Sequence, residues 1–461
     1  MTNRSSLTLT ALTLVAASAF APVAQASGFQ LREQSASSQG NAFAGVSAGG
    51  FDISAMFFNP AIMTLYSGQQ FAVGGTLIVP KADLSNASGT RTSLVGAFSP
   101  SYVPISGPSS HTNAAESKVA PSLYGMYSVS DDLKLGLSVN APYGFVTDYD
   151  SNFVGRYHAL KTDLKIMDVT PSLAYRINQQ WSLGVAFVAR YADATLTNGV
   201  DLGLAGLQIG TVPGSLDGTS KLTGNTWGYG YKVGVTYQPT DKLRLGLAYS
   251  GSMNMTLKGD ISFAYPSNVT ASQQGYLQNT VGLKNGAGKA ELDLPANASF
   301  GFNYQVSDMF SFQGEAAWTG WSRFKQLDVQ FLNNVPPQIT DSLTNENWRN
   351  TWFYSLGGNW KLNEAWAVRT GVAHDLGAVT DGYRTPRIPD GDRTWVSVGA
   401  SYAFSKTFSV DAGYTHLFVK NSTVNLTTTT SQTDPNFTRG NLTGDYTMSG
   451  DIFALQARFK F

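Results

Sequence analysis

The sequence contains no cysteine among its 461 residues, so disulfide bonds and thiolate metal sites are both excluded. Only 13% of the residues are charged, and the 31 basic residues balance the 31 acidic ones. Because there is no basic excess, we expect no nucleic-acid partner. The four scattered histidines, His111, His158, His374 and His416, do not have the spacing of metal ligands. We therefore expect neither a metal site nor a cofactor.

Long apolar runs are also missing once the first 26 residues are set aside. A membrane-spanning helix needs about 18 consecutive apolar residues, and the rest of the chain has no such run. Gly reaches 47 residues and aromatic residues 12%. This mixture is too apolar for a disordered chain and too rich in Gly and Tyr for a helical one.

The first 26 residues have the pattern of a secretory signal peptide. Arg4 precedes an apolar and hydroxyl-rich run, 7–20, and Ala24-Gln25-Ala26 has the form of a cleavage site. An N-terminal membrane anchor, the alternative, needs a longer apolar run of roughly 20 residues. Removal of residues 1–26 leaves a mature net charge of about −1. An exported chain without spanning helices is either a soluble β protein or an outer-membrane barrel.

Alternation with period two decides between these classes. Every second residue of 243–257 is apolar or small, as is every second residue of 292–306, and the residues between them are mostly polar. Each segment therefore predicts a strand with one continuous apolar face. Both exceed the usual five or six residues of strands in soluble proteins. Tryptophans near the predicted strand ends are typical of a membrane girdle; they are Trp181, Trp227, Trp318, Trp360, Trp366 and Trp395.

The same template predicts fourteen strands, with short polar turns alternating with long loops. The approximate spans are 69–83, 116–129, 132–144, 161–177, 180–197, 222–238, 241–258, 290–306, 309–328, 350–361, 365–375, 391–404, 407–424 and 445–461. This indicates an all-β protein, a 14-stranded antiparallel transmembrane β-barrel in the outer membrane of a Gram-negative cell, surrounded by outer-membrane lipid. The last strand ends on Phe461, which resembles the signature that outer-membrane assembly machinery reads.

A barrel of this size leaves a lumen that its wall side chains cannot fill. We predict that residues 27–68 form an N-terminal hatch (plug) inside the lumen and that 69–461 form the barrel. A disordered periplasmic tail, the alternative, would expose five phenylalanines to water: Phe29, Phe43, Phe51, Phe57 and Phe58. Within FFNPAIM, residues 57–63, we predict that Asn59 caps a short helical turn and Pro60 occupies its first position. The predicted hatch and gating residues are Phe29, Phe57, Phe58, Asn59, Pro60, Ala61, Ile62 and Met63.

Several motifs in this order resemble the FadL family of outer-membrane transporters of long-chain fatty acids and other hydrophobic compounds. They are Ser27-Gly28-Phe29-Gln30-Leu31, Asn59-Pro60-Ala61, Trp227-Gly228-Tyr229-Gly230, Leu294-Pro295, Trp318-Thr319-Gly320-Trp321-Ser322-Arg323-Phe324 and Ile388-Pro389-Asp390-Gly391-Asp392-Arg393. The resemblance covers the whole mature chain. It implies capture of a ligand by extracellular loops, transfer to a lumen site, and lateral release near strand three after the hatch moves.

Strand three itself contains a reason for a lateral opening at Asn140, Pro142 and Gly144. Proline cannot donate a hydrogen bond to a neighbouring strand and glycine weakens a strand, so pairing is expected to fail there. The alternative is that Pro142 only ends strand three. For capture, Phe263 and the pair Phe331-Leu332 are apolar loop residues, although they can equally pack loop against loop.

The parity of the alternation places five cationic residues on the lumen face as candidates for binding a ligand carboxylate: Arg190, Arg244, Arg323, Lys325 and Arg369. The alternative is that they pair with Glu291, Asp293 or Glu315 in the lumen. Positions where some relatives carry basic anchors read as Asn198 and Asp328 here. The ligand is therefore left open between a long-chain fatty acid and an uncharged aromatic hydrocarbon.

Other functions fit the sequence less well. No histidine lies in an evident constellation with Ser or Asn, so we expect no enzyme. A general porin would lack a plug. A role as adhesin or phage receptor is compatible with the long loops, and we expect a monomer.

Overall fold

The computed structural model describes residues 28–93, 101–429, 431 and 433–461. The predicted signal peptide, residues 1–26, lies outside the described residues. Among the residues described, no helix is both long enough and apolar enough to cross a membrane.

Fourteen antiparallel wall strands form a closed barrel, as predicted. They are β1 (Gln69–Ser93), β2 (Lys118–Ser128), β3 (Leu133–Asp148), β4 (Lys161–Arg176), β5 (Trp181–Asp201), β6 (Asp217–Thr240), β7 (Leu243–Ser250 and Met253–Ala264), β8 (Gly286–Leu294 and Asn297–Gln305), β9 (Phe310–Thr319 and Gln326–Phe331), β10 (Asp341–Asn345 and Thr351–Lys361), β11 (Trp366–Asp375), β12 (Arg393–Ala403), β13 (Phe408–Val419 and Ser422–Leu426) and β14 (Asn441–Lys460). The ring closes because β1 pairs with β14 on one side and with β2 on the other. A short strand, Ser101–Pro104, pairs with the end of β1.

The outer surface of the barrel is apolar and the alternate side chains point inward. On β5, the side chains of Leu183, Val185 and Phe187 are about half exposed, while those between them are buried. At the short-turn end, Trp181 stacks on Tyr237 with ring centroids 4.2 Å apart. This arrangement suits a surface that contacts lipid and is bordered by aromatic residues. Trp395 is an exception to the predicted girdle, because it is fully buried in the lumen.

The prediction of one continuous apolar face along β7 and β8 is wrong. Leu247 is 57% exposed, whereas Met255 on the same predicted face is 3% exposed. Likewise Phe300 is exposed and Leu292 is buried. β7 is interrupted at 251–252 and β8 at 295–296, at the same level of the barrel. The register in which β6 pairs with β7 differs by one residue between the two segments of β7. A shift of one residue moves side chains to the opposite face of a sheet, so the apolar residues beyond the break point into the lumen.

The segment before β1 lies inside the barrel. It contains helix α1 (Ala36–Gln39) and three 3₁₀ turns, Val46–Ala48, Ile53–Phe57 and Pro60–Leu65. Its apolar side chains share one buried core with lumen-facing wall residues, among them Tyr124 and Met126 of β2. We call residues 28–68 the hatch.

The Asn59-Pro60 step fixes the last turn of the hatch against the wall. The Asn59 side chain accepts a hydrogen bond from the Ala61 amide at 2.9 Å, which confirms the predicted cap, and the turn that follows is 3₁₀. Asn59 Nδ2 also donates to the carbonyl oxygen of Val235 on β6 at 3.1 Å. The neighbouring wall position is Gly184, where a Cβ would collide with the backbone of Pro60 and Ala61. Only glycine allows this approach.

We predict that Gly184→Ala displaces the last hatch turn and leaves the barrel folded. Overpacking of this kind costs roughly 1–3 kcal/mol. Hydrogen exchange of amides 57–66 should therefore become faster than in the parent protein. The matched control is Gly125→Ala, because a Cβ at Gly125 would meet none of the described atoms within 4 Å. Equal exchange in the two variants would contradict this account of the contact.

Candidate lateral gap and lumen site

The barrel wall has a gap between β2 and β3. The two strands pair from Ser128 with Lys134 up to Ser122 with Asn140. Pairing of the described residues resumes only at Ala115 with Thr147. Residues 117–121 and 141–145 therefore face each other without mutual hydrogen bonds. We call this opening the β2–β3 gap; paired backbone borders it at both ends.

Proline marks both edges of the gap. On β3, Pro142 lies in a bulge, since the pairing with β4 shifts by one residue between Asn140 and Tyr143. The alternative that Pro142 ends β3 is wrong, because the strand continues to Asp148. On β2, Pro121 lies on the facing edge and was missed by the sequence analysis. Because a proline inside a strand indicates an unpaired edge, Pro121 could have been predicted as a gap residue from the sequence.

Backbone from the hatch occupies the place of β2 along the gap. The Leu31 amide donates to the Pro142 carbonyl at 2.8 Å, and the Gly144 amide donates to the Phe29 carbonyl at 3.0 Å. Gln30 and Tyr143 form an antiparallel bridge between these two bonds. The first hatch residues thus satisfy the edge of β3 where the wall does not.

The Gln34 side chain completes the closure at the bulge. Its Nε2 donates to the Ala141 carbonyl at 2.7 Å and its Oε1 accepts from the Ala141 amide at 3.2 Å. Asn140 Nδ2 donates to the Tyr124 hydroxyl at 2.7 Å, and that hydroxyl donates to the Gln34 carbonyl. Gln34, Asn140 and Tyr124 are all fully buried. The polar groups freed by the bulge are therefore paired through one hatch residue.

Phe29 stands at the centre of an aromatic cluster beside the gap. Its ring centroid lies 4.7 Å from that of Trp321, 5.5 Å from Trp348, 5.9 Å from Tyr143 and 5.8 Å from Phe145. Further apolar residues join this cluster from β7 and β8, beyond the point where those strands change face: Met253, Met255, Leu257, Leu292 and Leu294. We call this group the lumen cluster. It forms an apolar region of the lumen that contacts the hatch and the gap.

The other predicted hatch residues lie elsewhere. Ile62 and Met63 are fully buried in the core shared by hatch and wall, and Phe57 and Phe58 pack against that core. Lys232 of β6 places its Nζ 3.7 Å from the ring centre of Phe57 and donates to its carbonyl at 2.9 Å. The structure therefore brings Phe29 to the gap and places FFNPAIM against the wall.

The predicted carboxylate ligands are occupied or point away from the lumen. Arg190 forms two hydrogen bonds of 2.7 Å with Asp168, and Arg244 donates to the carbonyl of Ala48 in the hatch. Arg369 donates to Asn359 and Ser401 and lies 3.6 Å from Asp411. The sequence alternative named Glu291, Asp293 and Glu315 as the acids that pair with these arginines. The acids beside Arg190 and Arg369 are instead Asp168 and Asp411. Glu315 accepts a hydrogen bond from the Ser47 amide of the hatch at 3.1 Å.

The prediction that Arg323 and Lys325 face the lumen is wrong, since both are exposed. A turn between Thr319 and Gln326 interrupts β9, so period-two parity does not carry across it. The prediction that Phe263 and Phe331 are loop residues is wrong, because Phe263 lies in β7 and Phe331 in β9. Their ring centroids are 5.9 Å apart, so the two side chains pack on each other.

Comparison with known proteins places the chain in a family. The model described as "Outer membrane protein transport protein (OMPP1/FadL/TodX)" matches residues 17–461. The 47 kDa outer membrane protein of Pasteurella multocida is 32% identical, over 90% of this chain and 92% of that protein. The long-chain fatty acid transport protein of Escherichia coli K12 is 27% identical, over 92% of this chain and 95% of that protein.

A solved structure shares the same architecture. The crystal structure of a Pseudomonas aeruginosa FadL homologue superposes with a TM-score of 0.82 at 26% identity, over 94% of this chain and all of that chain. The family match extends over almost the whole chain, and the fold agrees. The chain therefore belongs to the OMPP1/FadL/TodX family and is an outer-membrane transport protein for hydrophobic compounds.

Proposed function

We propose that this protein takes up long-chain fatty acids and releases them sideways through the β2–β3 gap after the hatch moves. The observation that carries the proposal is that hatch backbone, rather than a wall strand, pairs with β3 between Pro142 and Gly144. A hydrophobic ligand in the lumen cluster would lie next to this segment. Sideways release would take it into the membrane without passage through water.

The energetics of the closure suit a gate. Two backbone hydrogen bonds and the Gln34 contacts hold the hatch against β3. Where lumen water replaces the lost partners, a net contribution of roughly 0.5–1.5 kcal/mol for each bond gives a cost of a few kcal/mol for breaking these bonds. Local opening of this size is ordinary in folded proteins and leaves the rest of the fold intact.

The predicted gating residues have distinct roles in this proposal. Phe29 covers the gap from the lumen side and moves with the hatch segment. Asn140, Pro142 and Gly144 form the edge that the segment leaves. FFNPAIM, residues 57–63, anchors the hatch to the wall during that movement, because Asn59 is bonded to β6.

The choice of a fatty acid is supported by relatives whose names state that they transport long-chain fatty acids. Uptake of aromatic hydrocarbons is the alternative within the same family. We predict that the protein, purified from outer membranes in mild detergent, retains fatty acids detectable by mass spectrometry. Retention of aromatic hydrocarbons instead would favour the alternative, and an absence of any retained hydrophobic compound would count against both.

The closing strand supports a proposed interaction with the assembly machinery. Phe461 is 76% exposed, and its backbone exchanges hydrogen bonds with Gln69 of β1. The terminal ring is thus presented at the seam where the barrel closes.

A disulfide that ties the hatch to β3 should block uptake. We predict that the variant Gln30→Cys/Tyr143→Cys forms a cross-link on oxidation, because paired residues of an antiparallel bridge have Cα atoms about 4.5–5.5 Å apart. The native chain has no cysteine to interfere. Uptake of radiolabelled fatty acid by cells should fall to background when the pair is oxidised and recover on reduction.

The reduced form of this variant controls for loss of the tyrosine ring. A second control, Ser138→Cys/Thr170→Cys, joins β3 to β4 where they already pair. It should leave uptake unchanged. Equal uptake by the oxidised and reduced forms of the hatch cross-link would rule out release through this gap.

Removal of the Gln34 hydrogen bonds should loosen the hatch. We predict that Gln34→Leu leaves the buried amide and carbonyl of Ala141 without side-chain partners, at a cost of roughly 1–3 kcal/mol. Exchange of amides 28–34 should accelerate by about fivefold or more. The exposed Gln180, changed to Leu, serves as control. Unchanged exchange in Gln34→Leu would show that this side chain does not hold the closure.

A further inference from the structure

A buried carboxyl group lies directly beside the hatch segment that closes the gap. Glu33 follows Leu31, whose amide donates to β3, and precedes Gln34, whose side chain satisfies the bulge. Glu33 is 1% exposed. Neither of its carboxyl oxygens has a hydrogen-bond partner in the part of the chain that the structure describes. The closure of the gap described above does not use this group.

The backbone on both sides of Glu33 is held in place. The Gln34 amide donates to the Arg32 carbonyl at 2.8 Å, so Glu33 is the middle residue of a three-residue turn. The Glu33 carbonyl accepts a hydrogen bond from Thr76 Oγ1 of β1 at 3.1 Å. We call this arrangement, with residues 29–34 bonded to the wall, the docked state. In the docked state the Glu33 carboxyl group stays in the interior of the lumen.

Charged groups act on Glu33 from three elements. They are Arg32 of the hatch, Asp375 of β11 and Arg393 of β12. The strands β1 and β2 contact the same stretch of hatch through neutral hydroxyl groups, those of Thr76 and Tyr124. Glu33 therefore belongs to a buried group of charges that joins the hatch to the wall.

Acids outnumber bases in this buried group. Arg393 lies 3.6 Å from Asp375 and also pairs with Asp390. Arg32 is attracted by Glu315 and Asp375 as well as by Glu33. The two guanidiniums thus face four carboxyl groups, those of Glu33, Glu315, Asp375 and Asp390. If all four were ionised, two negative charges would stay uncompensated in the interior, where an uncompensated charge is costly.

Glu33 is the member of this group that is best suited to hold a proton. Asp390 accepts hydrogen bonds from two backbone amides, and Glu315 accepts one. Such bonds stabilise the charged form of a carboxyl group. Asp375 has the guanidinium of Arg393 at 3.6 Å. Since Glu33 has no hydrogen bond on either oxygen, its charged form is stabilised the least.

The preference of Glu33 for the proton depends on its burial. Burial raises the pKa of Glu33 to about 8, whereas the ordinary pKa of this side chain in water is 4.5. Its own amide, Arg393 and Arg32 oppose the rise in pKa, and Asp375 adds to it. The docked state therefore binds the proton more tightly than a state in which Glu33 meets water. Its relative stability is greatest at low pH and is lost as the pH rises toward 8.

We propose that Glu33 holds a proton while the hatch is docked and releases it to water when residues 29–34 undock, so that rising pH favours the open gap. This inference rests on the proposed function and adds its regulation. Undocking breaks the O–H bond of the carboxyl group, and water in the lumen accepts the proton. Between about pH 5 and 8, the ratio of undocked to docked molecules rises about tenfold for each pH unit, because one proton leaves with each undocking.

Hydrogen exchange of the folded protein in mild detergent, without added ligand, tests this proposal. Protection factors are compared because they divide out the intrinsic pH dependence of amide exchange. From about pH 5.5 to 7.5, the factors of amides 29–34 should fall by about tenfold per pH unit in the parent protein. Glu33→Gln keeps the shape of the side chain and does not ionise. In this variant the factors should stay constant within about twofold over the same range.

A matched control is Glu364→Gln, which removes an exposed carboxyl group from the turn between β10 and β11. It should keep the pH dependence of the parent protein. Heat-dependent migration on SDS gels reports whether each variant has a folded barrel. Equal pH dependence in the parent and in Glu33→Gln, or constant protection in the parent, would overturn the role of Glu33.

The exchange experiment contains no ligand, so its result is independent of transport. Loss of the pH dependence in Glu33→Gln supports the role of Glu33 in docking, even if the oxidised Gln30→Cys/Tyr143→Cys variant still takes up fatty acid. Uptake by that oxidised variant would refute release through the gap and leave the docking result standing. Conversely, unchanged pH dependence in Glu33→Gln, together with uptake that the cross-link blocks, would refute the role of Glu33 alone.

Discussion

Hydrogen bonding of the β3 edge to the hatch is the interaction on which the rest of the arrangement depends. A bilayer offers no water to an unpaired backbone group, and each such group costs several kcal/mol. Where β2 and β3 separate, Phe29 and Leu31 supply the missing partners and Gln34 satisfies the bulge. The wall can therefore contain a gap and remain stable, provided that the hatch is in place. The closed gap and the docked position of residues 29–31 therefore depend on the same hydrogen bonds.

The lumen is divided by polarity. Buried arginines and acids form pairs in one part of the lumen. Arg190 with Asp168 joins β5 to β4, and Arg458 of β14 lies 3.7 Å from Asp52 of the hatch. Beyond the break in β7 and β8, the lumen becomes apolar around Phe29. Tyr143 and Phe145 of β3 belong to the same apolar group, so the apolar part of the lumen lies next to the β2–β3 gap.

Much of the fold was predictable because the bilayer imposes a simple pattern. Strands that face lipid on one side alternate in polarity, and this gave the strand number and the approximate bounds, and the local chemistry of Asn59 and Pro60 gave the cap. Two errors have the same origin, because parity fails at interruptions: the face change in β7 and β8, and the exposed positions of Arg323 and Lys325. Trp395 differs, since it lies in an unbroken strand and is buried because it packs on Phe43 of the hatch and on Phe353. The role of Pro121 at the edge of the gap was predictable from the sequence, because proline cannot donate a hydrogen bond to a neighbouring strand.

The sequence by itself determined that the chain is an exported β-barrel with an internal N-terminal segment. Composition, the two-residue polarity period and the length of each strand are local properties of the chain, so they can be recognised without knowledge of tertiary contacts. It also marked Pro142 as a weak point. The tertiary structure alone decided what the weak point pairs with, because residues more than 100 positions apart, Leu31 and Pro142, meet only in the closed barrel. It alone decided which arginines are neutralised, because ion pairing depends on distances between separate strands and loops.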